Sequence, residues 1–536
     1  MSKILILGGG FGGVYIAKKL QQLNNNSFDI ELISNNNYFI FQPLLPEVAS
    51  GTISAADAVT PIRQMLPKIK FRHAEIVEIN CTDKNVKVVQ GFRRREHTIN
   101  FNNLVVALGQ ESNKDIAPGL KQHCFTMRTL EDAYSVRNHL LGCFELADVT
   151  LDKALKKKLL NIVVAGGGFS GVETIGELKE MSDRLLPYYK NIHKNELKFH
   201  IVEFSKRLLP ELEVEVSNYT YNIFKKRNIK IYLRTALESV SINKVFLSNG
   251  KTIDTKTIIS TIGSTVPEIV KKSSLPLKNG RIVTNEFLEV KNFKNIWAIG
   301  DVALIPNIIN EGKHSFSPPT AQFAVRQANT LAKNIILRGQ NKGLKAFEYK
   351  SKGSLASLGS KKGVGKIFFL NIKGLLGWIV WRVFYLSFIP SFPTKLRVLF
   401  NWVLEFFIPR NAVLTQPYTG ESVSYKVFKK GDIVFEEGMI ADGFYIVKEG
   451  QFENVIKKTQ TGKVFKKIYR KGSHFGSRVI LEGGRRTGKI WAVKDSLVLK
   501  IDSKSFKLLA ENFPVLEKYF GNYLPKAFKK LKLKEN

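Results

Sequence analysis

Residues 8–13 read GGGFGG, and residues 166–171 read GGGFSG. Each phrase follows a short apolar run, KILIL in the first case and LLNIVVA in the second. Each is then followed by residues at helical spacing, FGGVYIAKKLQQL and SGVETIGELKEM. Glycines at the first, third and sixth places of such a loop meet three needs. The first makes a tight turn, the second lets backbone reach a pyrophosphate, and the third lets the helix pack on the strand. Gly8, Gly10 and Gly13 fit this pattern, and so do Gly166, Gly168 and Gly171. The helix that follows offers its free N–H groups to phosphate. One such loop is weak evidence. Two, each between a strand and a helix, point firmly to two bound dinucleotides rather than to glycine-rich turns that bind nothing.

The residue ending the next strand separates the two sites. After the second loop, LKFHIVE ends at Glu203. A carboxylate there accepts from a ribose 2′-hydroxyl and repels a 2′-phosphate, which favours NADH, although Lys206 and Arg207 leave NADPH open. After the first loop, FDIELIS puts Ser34 in that place, and a hydroxyl still bonds a ribose. KNIWAIGDVALIP (294–306) reads as a strand ending in Gly300 and Asp301, an acid that two-dinucleotide flavoproteins aim at the flavin ribityl and pyrophosphate. FNNLVVALGQ (101–110, with Gly109) and KTIISTIGS (256–264, with Gly263) read as the strands closing each nucleotide domain. The order is an FAD half, an inserted NADH domain, and a second FAD half.

The chain resembles the type II NADH:quinone oxidoreductases. The resemblance rests on NNNYFIFQPLLPEVASGTISAAD (35–57), RTLEDAYSVRNHLL (128–141), GGGFSGVETIGEL (166–178), AIGDVA (298–303), SPPTAQFAVRQANTLAKNI (317–335) and YKSKGSLASLGSKKGV (349–364). It covers roughly residues 1–410. It implies bound FAD, NADH as substrate, and reduction of a membrane quinone without proton pumping. By position it places Glu173 near the flavin, at the junction of the NADH and quinone sites, and Ala321 and Gln322 on the quinone side. The family's second glutamine is replaced here by Arg326. The physical case runs beside this: flavin takes a hydride and gives electrons onward, so no acid–base triad is required. Disulfide reductases of this fold and sulfide:quinone oxidoreductases need paired cysteines, and Cys81, Cys124 and Cys143 form no pair in sequence. A quinone, another protein or oxygen is left as acceptor.

The chain has 536 residues and a formal net charge of +36. That length implies several domains. The charge is spread along the chain with no nucleic-acid recognition motif, so attraction to anionic lipid and compositional drift are preferred over a nucleic-acid partner. Three cysteines exclude a disulfide framework and suit a reducing compartment. MSKILILGGG carries no signal-peptide pattern. No metal-ligand spacing occurs.

GLLGWIVWRVFYLSFI (374–389) is apolar on nearly every face except at Arg382, and is shorter than a membrane span. TKLRVLFNWVLEFFI (394–408) places Leu396, Leu399, Phe400, Val403 and Phe407 on one side and Arg397, Asn401 and Glu405 on the other, an amphipathic helix. Residues 374–408 are read as a hairpin in the membrane interface, with Trp378, Trp381 and Trp402 at headgroup depth. A buried helix pair in a core or dimer interface is the plainer alternative.

From about Gln416 short alternating strands and glycines predict a β-barrel or jelly roll followed by helices. KKGDIVFEEGMIADGFYIVKEGQ (429–451), GSHFGSRVILEGGRRTGKIWAV (472–493) and VLKIDSKSFKLL (498–509) resemble the cyclic-nucleotide-binding domain. The resemblance makes Gly476, Arg486 and Thr487 the candidates for holding a cyclic phosphate or another anionic ligand. Ser477 stands where that family has its ribose-binding glutamate, and Gly488–Lys489 also departs from its pattern.

The expectation is an α/β protein with two Rossmann-like dinucleotide-binding domains, a membrane-associating helical segment and a C-terminal β domain. The expected bounds are 1–115 and 276–350 for FAD, 116–275 for NADH, 351–415 for the helices and 416–536 for the C-terminal domain. The expected role is NADH oxidation through FAD to quinone in a respiratory chain, peripheral on the cytoplasmic side of the cell inner membrane, with a homodimer among the arrangements it admits. The other readings are a flavoprotein reductase of a soluble acceptor and an NADH or redox sensor signalling through the C-terminal domain.

Overall fold

The computed structural model describes residues 2–23, 27–91, 94–309, 316–359, 361–410, 412–414, 422–457, 464–513 and 516. The expected C-terminal helices past residue 516 lie outside the described residues, and only Ser503–Asn512 is described as helix there.

KILIL is buried on both faces, as a central parallel strand must be. Ser2–Leu7 therefore runs parallel between Phe28–Ser34 and Asn103–Val106. Lys70–His73 and Ile296–Ala298 complete a five-stranded parallel sheet at its two edges. Helix α1 (Phe11–Leu23) returns from the first strand, burying Val14, Ile16, Ala17 and Leu20. A short helix α2 (Leu45–Ala49) follows, started by Pro46.

The inserted segment repeats the plan. Helix α3 (Leu120–His123) leads to α4 (Leu130–Val149), whose start is fixed by a capping box between Thr129 and Asp132. Strands Asn161–Ala165, Lys198–Val202, Ile229–Tyr232 and Thr257–Ser260 form a four-stranded parallel sheet. In both sheets the chain's first strand lies inside, with the second strand on one side and the fourth on the other. That arrangement leaves a crevice between the first and fourth strand ends, where nucleotides bind in such folds. Helix α5 (Phe169–Leu185) follows the second glycine loop and is buried along most of its length.

The chain then returns to the first sheet and runs into helix α6 (Ala321–Gly339), capped by Thr320 and packed on α1. A three-stranded antiparallel sheet, residues 353–373, leads to helices α7 (Gly374–Phe388) and α8 (Phe392–Leu404). One continuous apolar core joins both parallel sheets to α7 and α8. The last part folds as two four-stranded antiparallel sheets around Phe428, Phe435, Phe452 and Phe475, with helices α9 (Ser477–Glu482) and α10 (Ser503–Asn512). It sits on the inserted domain. The Val427 N–H donates to His123 Nε2 at 2.9 Å, and the Ile242 N–H donates to the Val427 carbonyl at 3.3 Å. Burial pushes His123 down to about 3, with Lys426 adding to it, so the ring is neutral and able to accept.

Candidate active site

The two glycine loops have the same internal geometry. A Cβ on Gly13 would stand 1.8 Å from the Gly8 carbonyl oxygen, and one on Gly171 would stand 1.9 Å from that of Gly166. Gly8 and Gly166 adopt φ of +108° and +110°, a region open to glycine. Packing and backbone therefore account for the first and third glycines. They do not account for the middle ones. A Cβ on Gly10 would meet nothing within 4 Å, and one on Gly168 only a Glu211 oxygen at 3.8 Å. The middle glycines face open space, where an approaching backbone-bound ligand, not a protein atom, calls for the missing side chain.

A cavity of about 530 Å³ opens in front of the first loop. Gly8, Gly10, Ser34, Gly109, Gly300 and Asp301 all line it. Burial raises the Asp301 carboxyl, while Arg128 and Arg281 pull it back down. Arg128, part of the RTLEDA stretch but not singled out from sequence, lines the same cavity and donates to the Gln110 carbonyl at 3.2 Å. The Gly300 N–H donates to Gln327 Oε1 at 2.9 Å, so α6 holds the Gly300–Asp301 turn directly. These features suit FAD: a backbone cradle for its pyrophosphate and an acid in the cavity wall.

At the second loop Glu203 accepts from the Gly167 N–H at 2.5 Å and from the Ser205 N–H at 2.6 Å. Two amides fix the carboxylate and leave its other lone pairs for a ribose. Arg207, one of the two cations that kept a 2′-phosphate open, instead donates to the Pro210 and Leu212 carbonyls. Gly263 takes φ of +63° beside Ile116.

Glu173 lies in the second turn of α5. Its side chain leaves the helix axis, and Oε1 accepts from the Ser357 N–H at 3.1 Å and the Trp381 indole at 2.8 Å. Burial pushes its carboxyl up to about 8 against these donors. The close approach of 357–359 to α5 is possible because Gly176 has no side chain; a Cβ there would lie 2.6 Å from Leu358.

Around Glu173 the structure gathers acids and arginines that sequence reading did not group. Glu47 Oε2 accepts from the Trp402 indole at 2.7 Å. Arg382 pairs with Glu405 at 2.8 Å and lies 3.8 Å from Glu47. Arg410 pairs with Glu405 at 2.7 Å and with Glu177 at 3.4 Å. Glu177 also accepts from Ser50 at 3.0 Å. Burial works against Glu405, yet Arg410 and Arg382 hold it below the usual carboxylate range. The available signal was Arg382 itself: a cation inside an apolar run needs a counter-ion, and Glu405 is the next acid along the chain.

One expectation is corrected here. Trp378, Trp381 and Trp402 are buried within the protein, not set at headgroup depth. Arg382 draws them in. Its guanidinium lies 3.8 Å from the Trp378 ring centroid and 4.8 Å from that of Trp402, while the Trp381 and Trp402 indoles serve buried carboxyls. Outward go Leu375, Leu376, Ile379, Val383, Leu396, Leu399, Phe400, Val403 and Phe407. Among the described residues no helix is long and apolar enough to cross a membrane.

Ala321 lines the first cavity from the start of α6. Gln322 Oε1 accepts from the Ser351 hydroxyl at 3.1 Å, and Arg326 lies over the Tyr349 ring at 5.4 Å. In the C-terminal module Arg486 is buried. It donates to the Gly476 carbonyl at 2.8 Å and the Gly443 carbonyl at 2.7 Å, and pairs with Asp442 at 3.2 Å. Its Nε makes no hydrogen bond among the described residues, and Thr487 beside it is exposed.

Known proteins share these parts. Residues 2–328 match the family described as Pyridine nucleotide-disulphide oxidoreductase, residues 351–411 the NDH2 C-terminal domain, and residues 425–513 the Cyclic nucleotide-binding domain. A type II NADH:quinone oxidoreductase of Staphylococcus haemolyticus (strain JCSC1435) is 33% identical over 382 residues, covering 69% of this chain and 91% of that protein. A probable NADH dehydrogenase of Dictyostelium discoideum is 29% identical over 419 residues, covering 76% and 90%. Among solved structures, NDH2 from Plasmodium falciparum in complex with RYL-552 shares the fold with a TM-score of 0.71 at 23% identity, covering 77% of this chain and 99% of that one.

Proposed function

Since the chain belongs to the type II NADH:quinone oxidoreductases, within the pyridine nucleotide-disulphide oxidoreductase family, it is an NADH-oxidising flavoenzyme with quinone as acceptor, and we propose that it works peripherally, without pumping protons, on the cytoplasmic side of the cell inner membrane. The observation that carries the site assignment is the pair of middle glycines facing open space at two equivalent crevices. Gly8, Gly10, Gly13, Ser34, Gly109, Gly300 and Asp301 hold FAD. Gly166, Gly168, Gly171, Glu203 and Gly263 hold NADH. FAD supplies hydride acceptance and onward electron transfer. The chain's part is to orient: Glu203 takes the ribose, Asp301 faces the flavin's sugar chain, and Glu173 stands at the junction with the quinone site.

Ala321, Gln322 and Arg326 line the quinone side in this reading. It is supported by the helix they share with Gln327, which grips Gly300, so quinone and flavin sites are built on one rigid element. The outward apolar side chains of α7 and α8 support contact with lipid, from which a quinone arrives. The C-terminal module takes a cyclic nucleotide or another anionic ligand at Gly476, Arg486 and Thr487 and passes its state to the NADH half. The unpaired, buried Arg486 Nε and the docking through His123 support this.

The test is a visible spectrum of detergent-purified protein before NADH, after NADH under nitrogen, and after a short-chain quinone. Bleaching by NADH and rapid return with quinone is expected. Bleaching without return overturns the quinone site. For the module, intrinsic fluorescence is titrated with cyclic AMP, cyclic GMP and inorganic phosphate. Saturable change that Arg486→Ala abolishes is expected, and no change with any of the three overturns that assignment.

A further inference from the structure

Glu173 takes one of its two donors, the Ser357 N–H, from a loop that lies directly on α5. The contact there is between backbones. A Cβ on Gly359 would stand 2.4 Å from the Gly176 carbonyl oxygen, and one on Gly176 would stand 2.6 Å from that of Leu358. Two carbonyl oxygens both accept and cannot bond one another, so buried together they need a donor from elsewhere. Arg227 is that donor. Its guanidinium gives one N–H to the Leu358 carbonyl at 2.5 Å and another to the Gly176 carbonyl at 3.2 Å. Leu358 follows Ser357 in the chain, and Gly176 lies three residues beyond Glu173 on the same helix. The arginine therefore closes a bracket whose other side is the Ser357–Glu173 hydrogen bond.

The frame behind Arg227 is firm. It is the C-cap of the helix Val214–Lys226 in the inserted domain, and Asn228 after it takes φ of +56°, the left-handed turn that ends a helix. The chain then re-enters the parallel sheet at Ile229. The other end of this helix also meets the three-stranded sheet, where Glu213 pairs with Lys366 and Glu215 with Lys373, but those pairs lie at the surface and hold little. The Arg227 side chain is only 9% exposed. Glu180 stands 3.6 Å from it and is itself paired with Arg184 at 2.9 Å, so the two carbonyls receive most of this cation's hydrogen bonding.

We propose that Arg227 is a positioning residue for quinone reduction: it holds the 357–359 loop on α5 and so sets the Glu173 carboxyl. It acts through Ser357 and not on the reacting atoms. This rests on the reading of Glu173 given above and adds a residue to it.

The test is a double-mutant cycle on full-length holoenzyme with a short-chain quinone: the parent, Arg227→Met, Glu173→Gln, and the two together. Methionine removes every donor while Glu180 keeps Arg184. Quinone kcat is expected to fall roughly 10- to 100-fold in Glu173→Gln and roughly 5- to 20-fold in Arg227→Met. The double variant is expected within about 2-fold of Glu173→Gln alone, because the two residues work as one unit. Ferricyanide takes electrons without quinone, and NADH–ferricyanide turnover of Arg227→Met is expected within about 2-fold of the parent. Arg227→Lys keeps a cation with reach to one carbonyl and restores part of the quinone rate; it takes the place of Arg227→Met in the cycle where the latter fails to hold flavin. An unchanged quinone kcat in Arg227→Met overturns the proposal. So do losses that multiply in the double variant, which make Arg227 independent of Glu173, or an equal loss with ferricyanide, which marks a folding role. Full quinone turnover in Glu173→Gln is a different failure: it sinks the reading of Glu173 itself, and the proposal with it.

Discussion

Gly10 and Gly13 look alike in the sequence and differ in what they are for. Gly13 packs against the Gly8 carbonyl, whereas Gly10 faces the cavity. Gly13→Ala is expected to destabilise the fold by roughly 1–3 kcal/mol, because the Cβ meets backbone that cannot yield. Gly10→Ala is expected to leave apo-protein melting within about 1 °C of the parent and to lower flavin retention. Denaturation and the flavin-to-protein absorbance ratio, measured on both variants, separate the two roles. The loop residues were legible because their spacing is local, and Glu203 and Asp301 were legible because each follows closely on a readable apolar strand, Lys198–Val202 and Ile296–Ala298. Glu47 was not. It stands in a quoted stretch, but its indole partner lies 355 residues along the chain, and no local pattern announces such a contact.

At the scale of elements, α7 and α8 face opposite to a water-exposed pair, with Arg382 and the three tryptophans inside and aliphatic and phenylalanine side chains out. The Arg382–Glu405 pair and its two indoles clamp the helices together. Arg382→Ala is expected to cost about 3–5 kcal/mol, since it strips Glu405 of a buried partner. Arg382→Leu with Glu405→Leu, read by urea unfolding in detergent, is expected to recover little of that, because Glu405 also pairs with buried Arg410 at 2.7 Å. The period of α8 could be read from the sequence, and so could which side was apolar. The tryptophans could not be placed, because an aromatic belt and an aromatic clamp have the same composition. Arg382 decides between them, through partners on two other elements.

At the scale of the whole molecule, two effects can be measured. Glu47 and Glu173 have folded-state pKa values of about 8, above those of an unfolded carboxyl. Proton binding therefore favours the folded state. This contribution is complete below the ordinary carboxylate range and fades as pH rises toward and through about 8. Thermal midpoints between pH 5 and 9 should fall on the alkaline side, and less so in Glu47→Gln. The C-terminal module depends on a neutral His123 accepting from Val427. His123→Ala leaves that N–H unpaired at a cost of about 1–3 kcal/mol to docking. Hydrogen exchange at Val427 is expected to rise without change at Leu5 in the central strand. The succession of parts along the chain could be read from the sequence, but this docking could not, since its contacts, such as one imidazole meeting one amide 304 residues away, are far apart in the chain.

The split of the first parallel sheet sets a schedule for its making. Asn103–Val106 pairs with Ser2–Leu7 on one side and waits on the other for Ile296–Ala298. At bacterial or eukaryotic synthesis speeds that last strand is made on the order of 10–40 s after its neighbour. In the interval the four strands of the inserted sheet can all assemble, while the outer sheet carries an apolar, unpaired edge, a standing invitation to aggregation. Gly300 and Asp301 ride on the arriving strand end, so the flavin's seat is finished only when that edge is sealed. A nascent chain stalled near residue 280 should thus be ready for NADH, still unable to keep FAD, and the form of this protein most in need of a chaperone.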